Sequence, residues 1–220
     1  MNLTDVIGPV MVGPSSSHTA GVVRIGKVAR SIFGGTPKEL EIIFYRSFAK
    51  TYKGHGSDKA IVAGLLGFEP DDVRIRNSVE YAIKEGYEFN INPSDRHTTH
   101  PNTVRLKGYD KSGQWCEVTA ESIGGGEIRI RKINQVDVEL DGSYDTIITR
   151  HRDKPGVVSK LSKILYDADI NIATMKVYRD SKGEQAIMLI EVDSRPDVGV
   201  INQMSEVDGL DDVKFISKIF

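Results

Sequence analysis

Hydrophobic and polar positions along the chain follow two periods. Apolar residues spaced three or four apart predict amphipathic helices, whereas strict alternation predicts half-buried strands. Helices are predicted over residues 18–33, from about 57, and over 70–86, 154–169 and 196–207. Strands are predicted over residues 39–48, 87–92, 103–109, 114–124, 127–133, 144–151, 170–180, 184–193 and 213–219.

A polar turn, LDGS, separates these elements into two sets near Gly142. We predict a first domain over 1–141 and a second over 144–220. The second set has the order βαββαβ, which is typical of a ferredoxin-like module with a four-stranded antiparallel sheet and both helices on one face. The first set mixes helices and strands and predicts an α+β sandwich. The chain as a whole is therefore predicted to be α+β.

Composition narrows the classes of function. Of the 220 residues 39% are hydrophobic and 27% charged, the formal net charge is −2, and the pI is near 6.2. This balance gives no electrostatic attraction to nucleic acid. No apolar stretch approaches the roughly 20 residues that span a bilayer, and MNLTDVIGPV lacks the basic start of a secretory signal. We expect a cytoplasmic protein that binds neither nucleic acid nor a membrane.

Cys116 is the single cysteine of the chain. It excludes an internal disulfide, and one thiolate cannot fill the three or four positions that a zinc or iron–sulfur site usually needs. We therefore predict no metal ligands in this chain.

Three consecutive serines, Ser15 to Ser17, precede His18 and Thr19 at the start of the first predicted helix. One serine suffices to cap a helix N-terminus, because its hydroxyl accepts a bond from one orphan backbone N–H. The further hydroxyls and the histidine suit a carboxylate or phosphate at the positive end of the helix dipole. The spacing of these residues is compatible with helix capping alone and with anion binding.

Two more histidines lie in loops beside Gly or Pro. His55 stands between Gly54 and Gly56 before a helix that begins near Ser57 or Asp58, and His100 precedes Pro and Asn102. Asp58 is a candidate to cap that helix or to orient His55. Any one such histidine is more often structural, as we expect for His97 and His151. Three of them in loops of similar composition indicate a site.

The stretch RHRDKPGVVSKLSKILYDADINIATM resembles the first half of an ACT domain, a small-molecule regulatory module of amino-acid metabolism. The resemblance covers residues 144–220 and implies an amino-acid pocket at a dimer interface. Spacing alone favours simple capping at the turn, whereas the resemblance favours a ligand site. The implied ligand residues are Asp153, Lys154, Pro155, Gly156, Asn171 and Ile172.

GPSSSHTAG, KGHGSDKA and HPNT occur in this order and, with the ACT-like tail, resemble the beta chain of bacterial iron–sulfur L-serine dehydratases over the whole chain. The resemblance implies deamination of L-serine to pyruvate and ammonia together with an alpha chain that holds a [4Fe-4S] cluster. It also implies that the first domain is similar to the allosteric substrate-binding domain of some phosphoglycerate dehydrogenases.

The resemblance implies roles for residues of all three motifs. His18, His55 and His100 are the candidate proton-transfer or orienting groups, and which of them is the base stays open. The candidate substrate-binding residues are Ser15, Ser16, Ser17, Thr19, Asn102 and Asp58. We expect the alpha chain and L-serine as partners and a homodimer through the ACT domain.

Two other classes of function remain. A regulatory subunit would bind an amino acid at the ACT turn and use the first domain only for docking. A small-anion sensor would use the SSSHT helix end without chemistry.

Overall fold

The computed structural model describes residues 9–179 and 181–220. The chain divides into two units, Met1–Asn134 and Gln135–Phe220. The observed division lies before the strand Val136–Leu140, whereas the predicted boundary at Gly142 lies after it. This strand contacts the rest of the second unit, since the Glu139 N–H donates to the Tyr178 hydroxyl at 3.3 Å. The domain limits 1–141 and 144–220 stay a prediction. Residues 1–8, which carry most of the segment examined for a secretory signal, lie outside the described range.

The described part of the first unit has five strands, which are β1 (Glu39–Tyr45), β2 (Glu88–Ser94), β3 (Thr103–Tyr109), β4 (Trp115–Gly124) and β5 (Glu127–Ile133); β6 (Val136–Leu140) opens the second unit. The order of the five strands in the sheet is β2-β1-β3-β4-β5. β1 pairs in parallel with β2, and the pairs β1–β3, β3–β4 and β4–β5 are antiparallel. The helices are α1 (Gly21–Ile32), α2 (Arg46–Thr51), α3 (Ser57–Leu66) and α4 (Ser78–Lys84).

Helices α1 and α3 cross in close contact at two glycines. A Cβ on Gly26 would lie 2.6 Å from the Ile61 carbonyl oxygen, and a Cβ on Gly64 would lie 2.1 Å from the Val23 carbonyl oxygen. Only glycine permits this separation of the two backbones. The two helices run in the same direction. This is shown by the contacts between the residues at the start of each helix, which are described below.

Four local features differ from the sequence prediction, and the first is β6, a strand that the sequence pattern did not predict. The helix predicted over 18–33 starts with a π-helical turn, Ser16–Ala20. The helix predicted over 70–86 is a 3-10 helix, Val73–Asn77, followed by α4. The strand predicted over 39–48 ends at Tyr45, where Arg46, with φ +46°, begins the unpredicted helix α2. Short polar segments carry too little hydrophobic period to reveal such turns.

The second unit confirms the βαββαβ order. Its elements are β7 (Asp145–Arg152), α5 (Val157–Asp167), β8 (Ile172–Arg179), β9 (Gln185–Val192), α6 (Val198–Ser205) and β10 (Leu210–Ile216). The antiparallel sheet has the order β10-β7-β9-β8. Helix and sheet residues share one core that includes Ile147, Leu161 and Met188. Together the two sheets and their helices confirm the α+β class.

Outside the motifs, Cys116 is buried, whereas its neighbour Trp115 is half exposed. His151 is buried on β7, where its Nδ1 lies 3.2 Å from the Thr149 hydroxyl. This environment is typical of a structural histidine. Within residues 9–179 and 181–220, none of the helices has the length and apolarity needed to cross a bilayer.

The glycine crossing yields a first prediction. Gly64→Ala should lower the free energy of unfolding by about 1–3 kcal/mol, the usual cost of overpacking, because its methyl group has no space against Val23. Urea denaturation of the full chain measures this. Gly54→Ala is the matched control, because its Cβ would meet only the Thr51 carbonyl oxygen at 3.7 Å. Equal losses in the two variants would contradict close helix contact.

Candidate functional site

The serine run forms an irregular helix start. Ser15 caps it, since its hydroxyl accepts the His18 N–H at 3.1 Å. The Gly21 N–H bonds back to the Ser16 carbonyl across five residues, which makes Ser16–Ala20 a π-helical turn. Such a turn inserts one extra residue and re-aims the side chains around it, and π-bulges occur frequently at functional sites. The sequence predicted the cap and did not predict the insertion.

The His18 ring is held on two sides. Its Nδ1 lies 3.0 Å from the Ser17 hydroxyl and 3.4 Å from the Ser15 hydroxyl. Its edge packs against Phe48 of α2, with ring centroids 5.0 Å apart. The other nitrogen, Nε2, is buried and has no hydrogen-bond partner in the described part of the chain. A buried nitrogen without a partner is costly, which points to a functional role.

His55 meets His18 directly, with ring centroids 4.8 Å apart. Two further bonds join the motifs: the Ser57 hydroxyl donates to the His18 carbonyl at 2.8 Å, and the Thr19 hydroxyl donates to the His55 carbonyl at 3.3 Å. Among the described residues, His55 Nδ1 also lacks a partner. The first and second motifs therefore form one cluster.

Asp58 lies beside this cluster and is nearly buried, with 8% of its surface exposed. Its carboxylate accepts the Lys59 N–H at 2.9 Å and pairs with Lys53 at 3.4 Å. The residues that the structure describes contain no hydrogen bond from Asp58 to His55. The geometry therefore supports an electrostatic role for Asp58 in the first turn of α3. In the described residues, no contact supports the predicted role of Asp58 in orienting His55.

The third motif is a turn built around His100. Its Nδ1 accepts the Asn102 N–H at 3.2 Å, so the neutral ring carries its proton on Nε2. The Thr98 and Thr103 hydroxyls donate to the His100 carbonyl at 2.8 and 2.7 Å. His100 is therefore held as a donor, with its orientation fixed by the turn.

Two contacts join this turn to the first motif. In α2, the Ser47 N–H donates to the Pro101 carbonyl at 3.0 Å, while Phe48 packs on His18. Asn102 Nδ2 donates to the Ser122 carbonyl at 3.4 Å, and a Cβ on Gly21 would lie only 2.2 Å from Ser122 Oγ. The three motifs thus share one end of the sheet.

Sequence reasoning missed Phe48 and Ser122. Ser122 is fully buried, and its hydroxyl has no partner within residues 9–179 and 181–220. A signal existed for it, because Ser122 continues the inward-facing series Val118 and Ala120 on β4, and a polar residue at an inward position is informative. Phe48 gave no such signal, because it lies in a helix that the pattern did not predict.

Burial sets the charge of His18. Desolvation lowers its pKa from the usual 6.5, and the nearby charge of His55 lowers it further. His18 is therefore mainly neutral at pH 7 and able to accept a proton.

The side chains that the structure describes do not form a metal site. Across residues 9–179 and 181–220 no three His, Cys, Asp or Glu side chains are grouped to hold a metal ion, and Cys116 is buried without a second cysteine in the sequence. The residues of this chain do not fit a [4Fe-4S] cluster, which takes thiolate ligands.

The predicted effector residues of the second unit have separate partners. The Asp153 carboxylate accepts hydrogen bonds from the Arg179 side chain at 2.7 Å and from the Gly183 N–H at 3.1 Å, and these bonds lower the pKa of Asp153. Asn171 Nδ2 donates to Asp193 at 2.6 Å. Pro155 and Gly156 are exposed, and Ile172 packs partly against the core at the start of β8. Gly156, with φ +95°, has open space where a Cβ would point.

Two known families match parts of this chain. The family described as serine dehydratase beta chain matches residues 4–85, and the ACT domain family matches residues 146–209. The chain is 43% identical to the probable L-serine dehydratase beta chain of Bacillus subtilis, over 92% of both chains. It is 39% identical to the L-serine dehydratase beta chain of Peptoniphilus asaccharolyticus, over 86% of both. A D-3-phosphoglycerate dehydrogenase of Bacillus subtilis is 30% identical over 72% of this chain and 30% of its own length.

The His18 environment yields a second prediction. In an NMR titration of the full chain, His18 should titrate below 6.5, and His55→Phe should raise its pKa only in part, because burial is the larger cause. The folded-state pKa lies below that of the unfolded chain. Neutral His18 therefore contributes stability that is present above about pH 6.5 and is lost as the pH falls through the folded-state pKa.

His97→Gln is the control for this titration and should leave the His18 curve unchanged, since His97 is exposed. A wild-type His18 that titrates at or above 6.5 would contradict the buried, neutral ring.

Proposed function

The chain belongs to the family of L-serine dehydratase beta chains and is a subunit of that lyase, and from this premise we propose that its first unit supplies part of the active site. The partner is an alpha chain, and the proposed reaction is deamination of L-serine to pyruvate and ammonia. The observation that carries the proposal is the cluster of His18 and His55, in which His18 Nε2 and His55 Nδ1 are buried and lack hydrogen-bond partners among the described residues.

His18 is the proposed base. Elimination from L-serine removes the Cα proton and the β-hydroxyl, and the enamine that forms takes up water to give pyruvate and ammonia. In the tautomer whose Nδ1–H donates to Ser17, Nε2 carries a lone pair that can accept the Cα proton. The lowered pKa of His18 keeps this ring neutral at pH 7, as a general base requires.

His100 is the proposed donor to a substrate oxygen. Because the Asn102 N–H occupies its Nδ1, the remaining proton on Nε2 is available for donation. His55 buttresses His18 through ring contact, and the hydroxyls of Ser15, Ser16 and Ser17 at the helix start favour the substrate carboxylate. Thr19 and Asp58 hold the His55 loop and the α3 start in place.

We place the [4Fe-4S] cluster on the alpha chain, since this chain has one cysteine. Such a cluster supplies a Lewis acid when bound. The steps assigned to this chain are proton transfer and orientation. A cytoplasmic location accords with this composition and remains part of the proposal.

A third prediction tests the histidine roles. In the complex reconstituted from both chains, His18→Gln should lower kcat by about 100- to 10,000-fold, the usual contribution of general acid–base catalysis. His97→Gln, in the exposed part of the loop before His100, should leave kcat unchanged. Steady-state kinetics with L-serine measures both.

Retention of full kcat in His18→Gln would favour the regulatory-subunit alternative. Unchanged circular dichroism of the variants would show that a loss is not a failure to fold.

We also propose that the ACT domain binds an amino acid, L-serine being the first candidate, and mediates a homodimer. The turn at Gly156 is exposed and open, and it precedes the N-terminus of α5, which favours a carboxylate. β8 and β10 are the outer strands of the sheet, and such edges can pair with another chain.

A fourth prediction addresses this second site. Gly156→Val should abolish the calorimetric heat of L-serine binding to the ACT domain of the full chain and turn sigmoidal saturation of the complex hyperbolic, with a coupling of about 5- to 150-fold in affinity. Gly113→Val is the matched control, because Gly113 also has a positive φ (+78°) and open space for a Cβ but lies in the first unit. Identical behaviour of the two variants would leave the ACT domain as a dimerisation element only.

A further inference from the structure

A pocket of about 300 Å³ opens beside His55. We name it the basic pocket; its walls include Gly13, Thr19, Lys53, His55, Lys59 and Arg76. The volume lies at the lower end of the range for small-molecule sites. Its residues come from four separate segments, so the fold creates the pocket.

The charged side chains that line the basic pocket are Lys53, Lys59 and Arg76, and among the residues that the structure describes the lining includes no acidic side chain. Asp58 pairs with Lys53 at 3.4 Å from outside the lining. Lys59 and Arg76 have no ion pair in the part of the chain that the structure describes. By contrast, Arg74 on the same 3-10 helix is bound by Asp72.

The backbone adds to this charge. α3 begins at Ser57, next to Gly54 and Gly56 of the pocket wall, and a helix N-terminus carries a partial positive charge. Like charges held around one cavity repel each other unless an anion lies between them. His55, a residue of the same wall, has a buried Nδ1 that lacks a hydrogen-bond partner within the described part of the chain.

We propose that the basic pocket binds a small anion without an ammonium group, such as inorganic phosphate or a 2-oxo acid. A zwitterion such as L-serine is disfavoured, because its ammonium would face Lys59 and Arg76, which have no ion pair in the described residues, and Lys53, whose charge Asp58 compensates only in part. The ligand contacts His55, which in turn contacts His18. The inference concerns this chain alone and stands whether or not the proposed catalytic roles do.

The test is a histidine NMR titration of the full-length isolated chain at constant neutral pH. Sodium phosphate should shift the His55 signal saturably, and sodium chloride at equal ionic strength should not. His151, buried in the second unit, should not move. Arg76→Gln should weaken binding at least about tenfold, as expected for loss of one charge-assisted contact, and Arg74→Gln should leave it unchanged. Lys59→Gln repeats the test from α3 if Arg76→Gln does not fold.

Sodium pyruvate and L-serine distinguish the chemistry of the ligand. Binding of pyruvate alone identifies a carboxylate site for a 2-oxo acid, and binding of phosphate alone identifies a phosphate site; both support the proposal. A shift that follows ionic strength only, equal weakening by Arg74→Gln, or L-serine binding as tightly as either anion would overturn it. Failure of the reconstituted complex to deaminate L-serine would refute the catalytic roles and leave this titration readable.

Discussion

The close crossing of α1 and α3 at Gly26 and Gly64 is the constraint on which the site depends. It holds two helices side by side in the same direction, so that the residues before both helices meet at one end. That end carries His18 on one chain segment and His55 on the other, clamped by the bonds of Ser57 and Thr19. Two positive helix ends in one place are the shared physical basis of two proposals, a substrate carboxylate at the proposed active site and a small anion in the basic pocket.

Buried polar groups without partners at this end lower the free energy of unfolding. Nitrogens of His18 and His55 and the Ser122 hydroxyl are buried without partners in the described residues, and each such group costs about 1–3 kcal/mol. The compact packing of α1 and α3, whose central residues are nearly all buried, offsets that cost. A substrate or a partner surface that supplies the missing hydrogen bonds would restore the lost stability. A site shared between two chains differs in this way from a closed core, whose polar groups are satisfied within one chain.

The sequence predicted more of the fold than of the site. The second unit follows from alternation and helical period in segments long enough to be unambiguous, and the βαββαβ order confirms it. The order of the three motifs also indicated one site. The π-helical turn and α2 could not be predicted, because each is a few residues long and is held by tertiary bonds such as Ser47 to Pro101. Asp58 shows the reverse case, since proximity in sequence suggested an orienting bond to His55, and the carboxylate bonds to Lys59 and Lys53.

The central claim is that His18 takes the Cα proton of the substrate. The most direct measurement is exchange of that proton for deuterium in D₂O, catalysed by the reconstituted complex on L-alanine, which lacks the β-hydroxyl and cannot eliminate it. The account predicts exchange at Cα with the wild-type chain and with His97→Gln, and none with His18→Gln. Exchange with His18→Gln at the wild-type rate would contradict it.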